Sequence, residues 1–462
     1  MSQDVERLAA ARGVVRRGAA ERQANAVYAA YVAVLFGAFY GVPAGQQLAR
    51  WLDPAWLTRQ LTPAGAWALG AAATGGLLAL AWSVGSVRGP IVPDLPFVDH
   101  VVASGLDRAV ALRPWWRLSL GGCVFAGLLT GVVAGTSVAF VELTGWGVLA
   151  PTAAVGAALG AAVAWAWRVG QSRGSPRPSG SDVGMPLRGL RRLTLAELRR
   201  QSAAAVVLGG AALAGDLRAA RLEILPPTTR GRQLTLRPGR PIPVLVRRDL
   251  LGLRRAPGTA LRGLLLTAAG AWLVDLARPA GGAPVILAFL GAVLLHHGFG
   301  AWCEGLRLQG DTGGTAELLG LPPRTQAWAH LVVPVLGQLA TTALVGGGLV
   351  AAGGIPVLAA LWSVALLPIV AGAALAASFR GLPPITVFAP GAGMPSLLAW
   401  LAWPQLVTVA VIGGLTLVAR APAALGGPSD APLGWLWAGA LGAAVLSWGL
   451  RSQARHALAH RE

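Results

Sequence analysis

The sequence predicts an all-α integral membrane protein with about ten transmembrane helices (about 10–12), arranged in two pseudo-repeated halves that each follow an interfacial helix. Three observations carry that expectation. Hydrophobic residues make up 55% of the 462 and charged residues only 12%, against about a quarter charged in soluble domains. The mean hydropathy is +0.60, and apolar runs recur at roughly the 20-residue length that crosses a bilayer. The arginines gather in alternate inter-span segments, as the positive-inside rule requires.

Residues 1–25 carry Arg7, Arg12, Arg16, Arg17 and Arg22 beside Asp4, Glu6 and Glu21, which is long and mixed for the start of a signal peptide. A small-residue site at Val42-Pro43-Ala44 keeps cleavage open, but an uncleaved, partly amphipathic cytoplasmic helix is expected instead. Spans follow at 26–46, 64–86, 117–140 and 146–168, giving a first half of 26–168. Segment 169–259 is expected to be cytoplasmic. It holds a Gly/Pro/Ser linker over 169–187, a short apolar stretch at 201–215, and a second interfacial helix ending near Arg254-Arg255. The stretch 201–215 reads as re-entrant or interfacial, because crossing would place the Arg-rich 218–262 on the wrong side. Spans at 260–277, 283–302, 328–350, 354–378, 396–419 and 433–450 form a second half of 260–450, and 451–462 is a cytoplasmic tail. Both termini are then cytoplasmic in a cell-membrane protein, and the expected outer segments carry only Arg50, Arg59, Arg278 and Arg420.

Two inter-span stretches share a layout. Residues 85–116 and 302–333 each run from an Arg through a loose Gly/Pro/Asp stretch to an acid (Asp99, Glu317), then a short apolar turn, then Arg108 or Arg324. Each half thus reads helix, span, span, loop, span, span, and the second adds two more spans. A short amphipathic helix flanked by charge suits a groove on a partner protein, with apolar anchors for affinity and charges for register.

The composition also excludes chemistry. All 38 basic residues are Arg, so the chain has no Lys for a phosphate-binding P-loop or a Schiff base. It is not expected to be an enzyme or to hold a cofactor of its own. The net charge of +19 lies in inter-span segments, which argues against a nucleic-acid partner. Cys123 and Cys303 are far apart and make neither a disulfide framework nor a metal cluster. His296 and His297, near Cys303 and Glu304, point about 100° apart on a helix and are expected to pack rather than bind metal. Glu142, Asp216 and Asp275 are the ionisable residues to consider for an intramembrane polar role.

An interfacial helix, six spans and a short loop after the second span resemble ABC-2-type exporter permeases. The loop around LDRAVALRP (Leu106–Pro114) is also similar to that of actinobacterial multi-pass permease-like proteins. The resemblance implies that each loop carries a coupling helix docking on a separate ATPase. The matching positions are Asp99, Leu106, Asp107, Arg108 and Arg113 in the first half, and Glu317, Leu318, Leu319, Pro322 and Arg324 in the second. It implies ABC ATPase subunits, two of them, as partners carrying the ATP and magnesium, together with the lipid bilayer and a homodimer or further membrane subunit. Two fused halves, the first lacking a full fifth and sixth span, depart from that pattern. An ion- or proton-coupled secondary transporter and a non-transporting scaffold or lipid-modifying protein remain alternatives.

Overall fold

Backbone in a bilayer must satisfy its own hydrogen bonds, which helices do. A computed structural model describes residues 19–51, 63–172, 188–214, 233–278, 285–312, 320–353, 355–381, 393–424 and 431–459, and every regular element among them is helical. Six of these helices are long and apolar enough to cross a membrane, and seven are if the bent pair at 286–311 counts as one span. By length and composition this is a multi-pass membrane protein. The chain divides into two compact units, Met1–Pro226 and Pro227–Glu462.

In the first unit, α1 (Ala19–Phe36) passes through a π-helical turn at Gly37–Gly41 into α2 (Val42–Trp51). The turn presses Gly37 and Gly41 onto Leu129 and Val133, and the Ser137 hydroxyl donates to the carbonyls of Val133 (2.6 Å) and Val42 (3.2 Å). Then come α3 (Pro63–Val87), the short α4 (Leu95–His100), α5 (Arg108–Phe140), α6 (Leu149–Gln171), α7 (Arg188–Arg191) and α8 (Leu195–Ala214). Helices α5 and α6 touch through backbone. A Cβ on Gly127 would lie 2.2 Å from Gly156 O, one on Gly131 2.2 Å from Thr152 O, and one on Gly160 2.2 Å from Cys123 O. The spacing Gly127, Gly131, Gly135 is the small-xxx-small pattern that lets membrane helices approach closely. Helices α3 and α6 meet the same way at Gly85 and Gly170.

In the second unit, the amphipathic α9 (Pro241–Arg255) leads into α10 (Pro257–Leu276). Next are α11 (Ile286–Trp302), α12 (Glu304–Asp311), α13 (Pro323–Ala351), a 3₁₀ turn at Val357–Leu361 with α14 (Trp362–Ala365), α15 (Leu367–Ser378), α16 (Gly393–Ala424) and α17 (Ala431–Ala459). One apolar core gathers Phe299, Leu306, Trp362, Leu366, Ile369 and Leu375. Arg420 of α16 donates to the carbonyls of Ala277 (2.8 Å) and Arg278 (2.9 Å), closing the end of α10.

Helices overlap the ten expected span positions, six of them long and apolar enough to cross a membrane, and three details go beyond the sequence reading. Within 354–378 a 3₁₀ turn and two helices follow one another and meet at Leu366, with Pro368, which has no amide N–H, in the first turn of the second. The element expected at 201–215 begins at Leu195, where the Thr194 hydroxyl accepts from Glu197 N at 3.2 Å. Charges at Glu197, Arg199 and Arg200 hid that first turn from a hydropathy reading. Glu142 is exposed in the turn after α5, with φ of +61°.

Two substitutions test these points. Gly131→Val should cost at least about 1–3 kcal/mol by forcing α5 and α6 apart, seen as a lower Tm in detergent. Glu142→Gly should raise stability by about 1 kcal/mol, since left-handed backbone strains a residue with a Cβ; an unchanged Tm would contradict this.

Candidate functional site

An extended segment with two prolines cannot ladder with a neighbour, so its backbone groups need side-chain partners. Residues 88–93 (RGPIVP) connect α3 to α4 and obtain them from three helices. Trp167 Nε1 of α6 donates to Arg88 O (2.7 Å), and Ser119 Oγ of α5 donates to Pro90 O (2.6 Å). Gln171 at the end of α6 donates through Nε2 to Ile91 O (2.7 Å) and accepts from Ile91 N (3.3 Å). From α8, Gln201 Oε1 accepts from Gly89 N (2.9 Å) and from Gln171 Nε2 (2.9 Å), and Ser202 Oγ donates to Pro93 O (2.7 Å). Gln171, Gln201 and Ser202 are all buried, and an apolar cluster of Ile91, Val98, Leu112, Trp116, Leu190, Leu193 and Leu198 lies with them. The loop is therefore a solid piece welded to the ends of α5 and α6.

The structure brings four of the five first-half docking residues into this block. Asp107 caps α5 by accepting from Ala109 N (3.0 Å) and also holds Arg191, whose Nη2 donates to Oδ2 at 2.6 Å. Arg108 donates to Leu193 O at 3.0 Å, and Arg199 Nε donates to Asp99 Oδ1 at 2.5 Å. Leu106 is half-buried against Val101 and Ala111. The charges of Asp99, Asp107 and Arg108 thus face the chain's own 191–199 segment, while Arg113 is exposed on α5. The Arg191 guanidinium beside Asp107 holds its carboxyl below the usual carboxylate range.

In the second unit, α12 leaves α11 at a 69° bend. A buried pair fixes it: His330 Nδ1 of α13 lies 2.6 Å from Asp249 Oδ2 of α9, with the side chains 2% and 5% exposed. Arg248 Nη2 lies 3.1 Å from His330 Nε2, and a guanidinium can only donate, so Nε2 is the acceptor and the ring proton sits on Nδ1. Gly305 of α12 packs directly on the pair; a Cβ there would lie 2.3 Å from Asp249 Oδ1. Pro322 is the N-cap of α13 and is exposed, as is Arg324 in its first turn. Glu317, Leu318, Leu319 and Asp216 lie outside the described residues.

Asp275 is fully buried, and its carboxylate accepts from Ser363 N and Ser363 Oγ, both at 3.2 Å. His296 Nδ1 shares a hydrogen bond with Thr408 Oγ1 at 3.0 Å, and no three metal-ligating side chains gather among the described residues. Cys303, His330 and Asp249 are the ingredients of a nucleophilic triad, yet they are not arranged as one. The Cys303 thiol donates to Phe299 O at 3.3 Å, and the His330 lone pair is already taken by Arg248. The arrangement can hold helices in register, and it offers no general base to a thiol.

No family model matches this chain, and no curated protein or solved structure matches it either. Sequence reasoning missed Gln171, Gln201, Ser119 and the Asp249–His330 pair. Their partners lie 80, 112, 29 and 81 residues away. The available signal was polar side chains at the ends of apolar runs, facing a segment whose prolines cannot pair.

Gln201→Leu strips the acceptor from Gly89 N and should cost about 1–3 kcal/mol, read as a lower Tm with normal membrane insertion. The Asp107 contribution has a definite pH sign. Its folded value is lowered, so the stability is fully present above about pH 4 and is lost as pH falls through the lower folded value. Thermal unfolding between pH 3 and 6 should show that loss in the native chain and a flatter profile in Asp107→Asn.

Proposed function

We propose that the chain is the membrane-spanning subunit of an ATP-driven exporter, with ATP and magnesium handled by two separate ATPase subunits. One observation carries this reading: the described part of each loop that follows a pair of spans is tied to neighbouring helices by buried side chains. In the first unit the Gln171–Gln201 network and the buried Ile91–Leu198 cluster lock the loop to α5, α6 and α8. In the second, Asp249–His330 and Gly305 lock α12 to α9 and α13. A force-transmitting element has to be stiff, because a soft loop would absorb a partner's movement instead of passing it to the helices.

In this reading about ten spans form two related halves, both termini and both loops are cytoplasmic, and α9 lies along the membrane. Among the described docking candidates, exposed Arg113 and Arg324 are the charges placed to meet the ATPase. A second copy or another membrane subunit completes the pathway, and the cargo is amphipathic: a peptide, lipid or antibiotic. One observation favours a second reading. The carboxylate of Asp275, which among the described residues accepts from Ser363, is the kind of intramembrane acid on which ion- or proton-coupled transporters depend.

Arg113→Glu with Arg324→Glu should reduce co-purification of an ATPase from native membranes at least tenfold while insertion and Tm stay normal. Retention of the ATPase by the double variant would count against docking through these residues. Native-membrane purifications that never contain an ATPase would remove the exporter reading altogether.

A further inference from the structure

Six arginines and one acid stand between residues 233 and 255, and the chain itself engages some of these charges. Arg248 reaches His330 at 3.1 Å, and Arg255 donates to Leu234 O at 2.7 Å. Arg240, the N-cap of α9, and Arg247 and Arg254 within it are exposed, and none of the three has a hydrogen bond or ion pair among the described residues. They recur every seven residues, which sets them along one edge of the helix about 10.5 Å apart. Ile242, Val246, Leu250 and Leu253 form a second stripe at helical spacing. Ile242 and Leu250 are 45% and 46% exposed. Leu250 comes three residues after Arg247 and four before Arg254, so the stripe adjoins the edge. A third face, with Leu245 and Asp249, is buried.

The neighbouring helices fix where this face lies. α11 packs antiparallel on α10: a Cβ on Gly291 would meet Val274, one on Gly298 would meet Thr267, and one on Gly263 would meet Trp302. A Cβ on Gly337 of α13 would meet the same Trp302 ring, and three residues further on Gly305 packs on His330. α13 therefore runs parallel to α10, with Gly263 and Gly337 at about one level. Ala256 and His330 each precede those glycines by seven residues, so they share a level too. Asp249 meets His330 at that level although it lies seven residues, about 10.5 Å, back along α9 from Ala256. α9 thus crosses the end of the bundle where α10 begins and does not prolong α10. Exposed Leu261, Leu264 and Leu265 follow in the first turns of α10, the start of a helix long and apolar enough to span.

We propose that this face of α9 binds anionic phospholipids, with the Ile242–Leu253 stripe in the acyl boundary and Arg240, Arg247 and Arg254 on headgroup phosphates. Position, shape and charge agree on that occupant. A helix laid across the entrance of a span sits at headgroup depth, where an apolar stripe beside a basic edge faces both layers at once. A guanidinium presents paired N–H donors that match a phosphate. A soluble acidic partner would use the arginines and leave the stripe in water, whereas a bilayer covers both. Each arginine favours an anionic over a neutral surface by about fivefold, so three on one edge select lipid by charge. The inference is independent of what the bundle transports and of what drives it.

The test uses the full chain with Cys123→Ala, Cys303→Ala and Leu250→Cys, labelled with bimane and reconstituted in phosphatidylcholine vesicles. Brominated phosphatidylglycerol should quench the label at a mole fraction about tenfold lower than brominated phosphatidylcholine requires. Replacing Arg240, Arg247 and Arg254 together by Gln should bring that ratio to within about twofold of one while Tm stays unchanged. Equal quenching by the two lipids in the chain that keeps its arginines would overturn the proposal. Absence of quenching by either lipid would place the stripe against protein and overturn it as well. Salt supplies a second measurement should the triple variant insert poorly. In the chain with its arginines, about 0.5 M NaCl should shrink the preference severalfold, and a preference that salt leaves untouched would sink the headgroup contact.

Discussion

The constraint on which the first unit depends is the contact of α5 and α6 through bare backbone. Lipid tails are as apolar as leucine, so the hydrophobic effect gives spans little reason to associate with one another. What remains is close packing, and it needs carbonyl oxygens where side chains would otherwise stand. Gly127, Gly131, Gly156 and Gly160 each leave room for a facing carbonyl that a Cβ would approach to 2.2 Å. These contacts fix register as well as distance. Slipping one residue would turn each glycine about 100° away from its partner.

That register reaches the loop. The beginning of α5 supplies Asp107, Ala109 and Ser119, and the end of α6 supplies Trp167 and Gln171. All of these touch residues 88–93 or the segment that covers them. Were α5 and α6 to shift against each other, Ser119 and Gln171 could not both reach Pro90 and Ile91. The second unit secures its loop with different chemistry, a buried carboxylate–imidazole pair under Gly305, and its helices again approach through glycine at Gly270 and Gly291.

Composition and hydropathy placed the long helices well, because the length of an apolar run and the charge at its ends are local properties. The start of the α12 bend and the breaks in 357–378 were less readable. Pro356 and Pro368 sit in an apolar run that hydropathy averages over. The site was half visible. Asp99, Asp107 and Arg108 could be picked out as charged punctuation, but their partners Arg199, Arg191 and Leu193 are 84 to 100 residues away in a stretch that reads as linker. Glycine abundance announced close packing without saying which glycine faces which carbonyl. Such pairings are properties of two helices together, and a single apolar run contains no record of them.

Polar groups are treated differently in different parts of the molecule. Around residues 88–93 the buried side chains of Gln171, Gln201 and Ser202 all find partners, so that block is rigid and has one arrangement. Along α10 and α13 the polarity is incompletely paired: Gln338 and Thr267 hold unmatched atoms, and Asp275 is held by a single serine. A protein built only to be stable would place leucine or valine at 338 and 267, since volume would be kept and desolvation avoided. The paired block around 88–93 therefore holds a single arrangement, whereas the buried polar atoms along α10 and α13 without a partner among the described residues carry a desolvation cost that the fold alone does not repay.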